Sequence, residues 1–410
     1  MRVLVVSQWC WPEPNPLSTV FARELAARGH TVTLITGFPN YPTGKVYPGY
    51  RLRLWQRERL DNVDILRVWL YPEHSRSGFR RILNYLSFSF SLMTLGLLKA
   101  PKVDVMWVYH PPLTVGLAAN VLGFFKRVPF LYVVQDLWPE SVMASGMVSS
   151  PFVESAILRV ARAVYRRAGA VAVISPGFEK NLRDKGVPAR KLRLVYNWGN
   201  DRSFYPCEPP AGLAASLGLA GKFNVIFAGN MGFAQNLQTV IEAAALMADV
   251  PDVQFVFIGD GTDKAGLQQE TSRRGIANVR FLGTKPESEM AALLACGDAL
   301  LVQLRNDPLF SITIPSKTQA YLACGKPVLC GVRGDAAQII KESGAGVIYD
   351  SSEPASLSAA VRTLRAMPAG EREAMGKRGL ETYRKNFQLS SVVSCYETIL
   401  QELAGARHNT

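Results

Sequence analysis

Histidine is scarce in this 410-residue sequence, with four in all, and the six cysteines (Cys10, Cys207, Cys296, Cys324, Cys330 and Cys395) show no CxxC spacing. That scatter supports neither a zinc ribbon nor a disulfide framework. A reducing cytosol is the natural compartment for it. Acidic residues are also in deficit, 33 against 46 lysines and arginines, which leaves a formal net charge of +13. The excess favours an anionic partner: nucleic acid, acidic lipid or a phosphorylated substrate. Internal repeats and low-complexity runs are missing, and the opening MRVLVVSQWCW lacks the charged start, long apolar stretch and cleavage site of an export signal. It reads as a buried strand.

Several familiar chemistries lack their residues. Gly259 and Gly261 in IGDGTD have no third glycine, so a GxGxxG dinucleotide fingerprint is absent and nicotinamide binding is not expected. Gly44-Lys45 and Gly325-Lys326 lack the upstream glycine and following hydroxyl of a phosphate-binding GxxxxGK[ST] loop. No GxSxG elbow occurs. There is no DxD pair to hold a metal diphosphate; Asp249 and Asp252 are spaced DxxD and are expected on a helix-end turn, so no metal site and no metal cofactor are expected. The basic residues are spread along the chain without the aromatic interleaving of an RNA reader, which argues against nucleic acid.

What is present is a folding composition: 48% hydrophobic, 10% aromatic, 19% charged and mean hydropathy +0.07. At about 100–200 residues per domain, the length allows two or three domains. Short apolar β-rich runs alternate with helical patterns, with strands expected over 2–7, 32–36, 64–69, 103–109, 130–135 and 170–175. After a loop-like stretch over 200–222 the alternation restarts, with strands expected over 224–228, 254–258, 279–282, 299–303, 327–330 and 345–349. The expected class is α/β: two Rossmann-like, doubly wound parallel-sheet domains, 1–200 and 201–384, facing across a cleft at the carboxyl ends of their strands. A C-terminal helix, about 385–410, is expected to rejoin the first domain.

Five stretches carry a family resemblance: ELAARGHTVTLITGFPNYPTG, VYHPPLTVGLAA, VVQDLWPES, VISPGFEKNLRDKGVPARKLRLVYNWGND and IPSKTQAYLACGKPVL. In this order and spacing they resemble the retaining glycosyltransferases of family 4, which have the two-domain GT-B fold. The likeness runs over nearly the whole sequence. It is nearest to the bacterial branch that builds O-antigen lipopolysaccharide, colanic acid and other exopolysaccharides on a polyprenyl-diphosphate carrier, such as N-acetyl-L-fucosaminyltransferases and colanic acid fucosyltransferases. The resemblance implies a nucleotide-sugar donor, UDP-linked, and a first domain that binds the acceptor. One departure stands out: the family's Glu-x7-Glu motif, aligned on ACGKPV, falls on Ile312 and Ala320. Both carboxylates are missing, and with them the usual ribose clamp and donor-sugar contact.

At that point the chain has IPSKT, where Pro315 suits the first turn of a helix running through 318–323. Ser316, Lys317 and Thr318 would then offer amides, hydroxyls and a cation to a diphosphate. In AGNMGFAQN, Gly229 and Gly232 permit close backbone approach before a helix starting near Gln235 or Asn236. Relatives often carry a basic pair in this loop; here stand Asn230 and Gln235, so Lys317 and Arg305 are expected to supply the charge. His110 ends an apolar strand just before two prolines and is expected to reach the cleft, where the resemblance places a histidine beside the transferred sugar. Asp136, and less strongly Glu140, in QDLWPES are the carboxylates expected to orient the acceptor or stabilise positive charge on the sugar, although Glu140 could equally cap the following helix. Trp9 and Trp11 either stack on an acceptor sugar or cover the sheet edge.

Residues 82–98 are almost free of charge, with Arg76, Arg80 and Arg81 before them and Lys99 and Lys102 after. Seventeen residues, with Asn84 and several hydroxyls among them, are short for a span, so we expect a helix lying on an anionic bilayer or packed in the first domain. The expected function is retaining transfer of N-acetyl-L-fucosamine or another deoxy or amino sugar to a polyprenyl-diphosphate-linked glycan, without metal. The protein would be cytoplasmic and peripherally bound to the inner face of the plasma membrane. Two alternatives share the composition and architecture: a sugar-nucleotide 2-epimerase and a non-enzymatic anionic-glycan-binding protein.

Overall fold

The computed structural model describes residues 1–14, 17–75, 77–144 and 150–408. The chain forms two compact units: Met1–Ile174, Phe178–Val195 and the stretch from Val393 make one, Ser175–Gly177 and Tyr196–Val392 the other.

The first unit is built on strands β1 (Arg2–Val6), β2 (Thr31–Gly37), β3 (Trp55–Leu60), β4 (Val63–Val68), β5 (Val105–His110), β6 (Phe130–Val134), β7 (Ala170–Val173) and β8 (Leu192–Leu194). They form an eight-stranded sheet in the order β3-β4-β2-β1-β5-β6-β7-β8. Among the described residues only β3 runs antiparallel, against β4. The central strands are continuous apolar runs because helices cover both faces: all of β5 and β6 is buried, and so is β1 beyond Arg2. β3 was not expected from the sequence, because WQRERL alternates exposed with half-buried positions and its charges conceal the period of an edge strand. β8 is a three-residue strand, too short to leave a pattern. The C-terminal helix Leu389–His408 packs on this unit, with Tyr396 against Phe21 at 5.3 Å and Trp107 at 5.9 Å between ring centroids. Glu397 accepts from Arg28 at 2.9 Å and pairs with His30 at 2.7 Å.

Two buried charges hold the loops that follow β1 and β2. The Arg67 guanidinium, fully buried, donates to Glu58 (2.7 Å), Gly37 O (2.9 Å) and Trp11 O (2.7 Å). The Glu13 carboxylate accepts from the amides of Cys10 (3.1 Å), Asn40 (2.8 Å) and Tyr41 (2.8 Å). Burial pushes Glu13 up to about 7 against those bonds.

The apolar stretch over 82–98 belongs to a longer helical run, Gly78–Lys99, of 22 residues with a π-helical turn at Leu92–Gly96. By length and composition it could cross a membrane. It packs on the unit through Tyr85, Phe88 and Leu92, while Asn84 accepts from Gln8 Nε2 at 2.6 Å and donates to Tyr71 O at 2.6 Å. Of the flanking cations expected from the sequence, Arg76 lies outside the described residues.

The second unit has β9 (Phe223–Ala228), β10 (Val253–Ile258), β11 (Val279–Gly283), β12 (Ala299–Gln303), β13 (Val328–Gly331) and β14 (Gly346–Ile348) in an all-parallel six-stranded sheet, ordered β11-β10-β9-β12-β13-β14. Side chains alternate between two cores. Ile226, Val256 and Leu300 pack against the helix Ser316–Ala323, and Phe227, Phe257 and Leu301 against the helix Leu237–Ala245. The strand order reverses at β9 and β12, and in open parallel sheets such a point opens a crevice beyond the strand ends.

Candidate functional site

That crevice in the second unit is organised by Tyr321. Its hydroxyl, buried, accepts from the Ala228 amide at 2.8 Å and donates to Ala228 O at 3.2 Å, pinning the helix Ser316–Ala323 to the end of β9. Lys317 lies four residues earlier on the same helix face, so its side chain is laid across the glycine that follows β9. A Cβ on Gly229 would come within 2.7 Å of Lys317 Cε and 3.0 Å of Nζ, and Gly229 has φ +132°. The positive φ is what calls for glycine, and the missing side chain leaves room for the lysine to lie close. Lys317 Nζ stands 4.8 Å from the Phe227 ring centroid, and burial lowers its pKa with no charged group offsetting the shift. A half-buried ammonium without a carboxylate partner favours an anion beside it. The neighbouring Thr318 Oγ1 is buried and has no partner among the described residues either.

Lys317, Ser316, Gly229 and Asn230 line a cavity of about 710 Å³, with Ala320 and Tyr321 also in its wall. Trp198, Asn200, Lys285 and Glu287 contribute to the same lining. The Glu287 carboxylate accepts from Asn200 Nδ2 at 2.8 Å. Sequence reasoning missed these last four and Tyr321. The only signal was that Trp198 and Asn200 lie within NWGND, at the end of the fourth resembling stretch.

Two expected donor residues are occupied elsewhere. Gln235 Oε1 accepts from the Gly232 amide at 3.2 Å and closes the short turn Phe233–Gln235. Arg305 donates to Phe233 O at 2.6 Å and stacks on that exposed ring at 3.8 Å. Neither lines the cavity that contains Lys317. The IGDGTD glycines also find their reason: a Cβ on Gly259 would meet Gly229 O at 2.2 Å, so the loops after β9 and β10 can touch only through glycine. Asp249 and Asp252 are bound to Arg362 and Arg365, each at 2.7 Å.

In the first unit the expected residues gather around the ends of β5 and β6, yet His110 is not accessible. It is 1% exposed, enclosed by Tyr132 and Trp138 with ring centroids 5.7 Å away, and neither ring nitrogen has a partner among the described residues. Reading the strand end as open was the error, because Trp138 from the following loop covers it. Burial, aided by the nearby Lys185 charge, lowers His110 to about 3, so the imidazole is neutral. Asp136 accepts from the Ser141 hydroxyl and is raised by burial. Glu140 accepts from Lys185 at 2.7 Å and Asn181 at 3.0 Å; burial raises it, but these bonds outweigh that and hold it below its ordinary value. It therefore serves an ion pair at the start of the helix Glu140–Ala144. Trp9 is half-buried against Tyr41 at 5.5 Å and Tyr85 at 6.2 Å, whereas Trp11 is exposed.

His110 should make stability pH-dependent. Its folded pKa of about 3 lies below the unfolded value of about 6.5, so the unfolded chain binds more protons between these values and stability falls as pH drops through 6.5. By pH 5 the loss amounts to about 2 kcal/mol. Glu13, with its folded pKa raised to about 7, works in the opposite direction, so the measurement is a difference. Between pH 7 and 5, urea unfolding of His110→Phe should lack that loss relative to wild type; equal slopes would show that the ring is solvated.

Residues 18–198 match the family described as a glycosyl transferase 4-like domain, and residues 214–382 match glycosyl transferases group 1. The chain is 28% identical over 310 residues to the colanic acid biosynthesis glycosyl transferase WcaI of Escherichia coli K12, covering 73% of this chain and 75% of that protein. It is 24% identical over 298 residues to the lipopolysaccharide core biosynthesis glycosyltransferase LpsD of Rhizobium meliloti, covering 67% and 81%. Among solved structures, Anabaena Alr3699/HepE in complex with UDP superposes with a TM-score of 0.68 at 17% identity, covering 99% of this chain and all of that one. At that identity the likeness establishes a shared fold.

Proposed function

We propose that this chain, a glycosyltransferase of GT-B fold whose two units belong to the 4-like and group 1 families, moves a sugar from a nucleotide diphosphate donor to a lipid-linked glycan in bacterial polysaccharide synthesis. The observation that carries the donor half is Lys317: a desolvated, unpaired ammonium over a glycine, in the first turn of a helix, beside a cavity large enough for a nucleotide. UDP is the favoured nucleotide, since Alr3699/HepE is a structural neighbour solved with UDP. The named relatives, WcaI and LpsD, support a polysaccharide acceptor, and we assign it to a polyprenyl diphosphate with N-acetyl-L-fucosamine or a similar deoxy or amino sugar as cargo.

In this reading Lys317 and the amides of its helix stabilise charge building on the departing diphosphate. A phosphate oxygen takes the acceptor proton on the face the leaving group vacates, so the anomeric configuration is retained without a strong protein base. On the first unit we carry Asp136 as the acceptor-orienting carboxylate, and His110 as a neutral hydrogen-bonding group that meets a sugar hydroxyl only once the Trp138 ring moves off it. Metal is not required: the acidic pair Asp249 and Asp252 is taken up by arginines. Transfer should persist in excess EDTA, and a complete loss restored by magnesium would refute that.

The helix Gly78–Lys99 supports peripheral attachment to the inner face of the plasma membrane. It is apolar on both sides: Tyr85, Phe88 and Leu92 are buried beside Asn84, Ser89 and Ser91, while Phe79, Leu86 and Phe90 point outward, Phe90 being 66% exposed. A soluble surface helix keeps its outward face polar. A thermal-shift screen of UDP, GDP, dTDP and ADP against the purified protein tests the donor assignment. A ligand at 100 times its dissociation constant adds about 2.7 kcal/mol of stability, a readily visible shift. UDP should shift the transition most; no shift with any of the four would overturn the donor site.

A further inference from the structure

We propose that four segments of the first unit form an aromatic and basic belt that serves as a second docking point for an anionic lipid bilayer. This rests on the peripheral membrane reading above and adds a surface that the helix alone does not supply. The segments are far apart in sequence, and four contacts join them. Arg57, on β3, donates to Lys99 O at 2.7 Å, and Lys99 Nζ stands 4.7 Å from the Trp55 ring centroid. Lys126, at the end of the helix Leu113–Lys126, donates to Ala100 O at 2.9 Å. Arg167, at the end of the helix Pro151–Arg167, lies 5.7 Å from the Phe124 ring. The edge strand and the ends of three helices therefore meet.

Their outward side chains are large and apolar: Leu98 is 76% exposed, Phe124 62%, Phe125 65% and Leu54 69%. Contiguous exposed apolar groups of this size mark an interaction surface. Cations are set between them, since Arg53, Arg127 and Arg166 are exposed as well. Two nearby carboxylates are already paired, Glu58 with Arg67 and Asp104, just before β5, with Arg2, and the exposed Asp64 on β4 lies opposite Arg59 in the ladder. Charge complementarity thus selects an anionic partner, and apolar tips interleaved with cations match a bilayer interface: rings enter the acyl boundary while ammonium and guanidinium groups reach lipid phosphates. The fold has gathered basic and aromatic residues that are scattered along the sequence.

The test is co-sedimentation at low salt with vesicles of phosphatidylcholine, alone or mixed with phosphatidylglycerol. Wild type should sediment with the mixed vesicles only. Leu54→Ser/Phe124→Ser/Phe125→Ser should weaken that binding at least about tenfold with an unchanged melting temperature, because all three side chains are exposed. Arg127→Glu/Arg167→Glu reads the charge independently and decides the matter should the triple variant misfold. Leu86→Ser/Phe90→Ser, on the helix, is the control that separates the two ideas. If the helix variant is released and both belt variants bind as wild type does, the belt is wrong and peripheral attachment stands. If wild type binds neither vesicle, peripheral attachment itself fails and the belt with it. If the triple variant instead turns a dimer into a monomer and keeps its lipid affinity, the belt is a self-association face and the proposal falls.

Discussion

Lys317→Ala should weaken nucleoside diphosphate binding by about tenfold to a hundredfold while leaving the unliganded protein as stable as wild type or slightly more so. Two costs fall on the free enzyme. A cation in the first turn of a helix opposes the macrodipole by about 0.3–1 kcal/mol. Burial also disfavours the ammonium, as its lowered pKa records. Neither cost is offset by a carboxylate. With a diphosphate present the sign reverses: a charge-assisted contact is worth about 1.5–3 kcal/mol, more where water is kept out. Turnover should drop further than affinity if charge accumulates on the leaving group. Calorimetric titration of UDP into both proteins reads the binding term directly. Equal affinities would remove Lys317 from the site.

The largest expected loss of stability is for Arg67→Ala. The guanidinium is the hub of two loops and an edge strand, binding Trp11 O, Gly37 O and Glu58. Its removal strands two carbonyls and leaves the Glu58 carboxylate without its partner, a class of change that costs about 3–5 kcal/mol. Glu58 keeps some contact with solvent, which places the expectation at the lower end, about 3 kcal/mol. Arg67→Lys should recover little, because one ammonium cannot span three acceptors in different directions. Urea unfolding followed through the first unit checks this; a loss under about 1 kcal/mol would mean that the loops hold without the hub.

The legible parts of the molecule were those whose cause is local. β1 and β5 announce themselves because a strand buried on both faces must be apolar throughout. IPSKT could be placed at a helix start because proline and the following hydroxyl residues act within one turn. What could not be read depends on contacts made late in sequence. The Tyr321 hydroxyl reaches Ala228, 93 residues away, and that bond is what lays Lys317 over Gly229. Glu287 meets Asn200 across 87 residues. β3 hid behind its charges, and the enclosure of His110 comes from Trp138, beyond the next strand. The loop contacts of Arg305 and Gln235 were hidden for a related reason: their side chains bond to backbone groups of the loop after β9, which no local pattern records.

The most direct measurement is transfer itself. Purified protein is incubated with nucleotide sugars labelled in the sugar, with and without polyprenyl-diphosphate-linked glycan acceptors, and the lipid fraction and the nucleotides are then analysed. Label should enter the lipid fraction only when an acceptor is present, matched by an equal release of nucleoside diphosphate, with the anomeric configuration of the donor retained in the new linkage. Conversion of the nucleotide sugar to an epimer with no acceptor present, and no label in lipid under any condition, would contradict it.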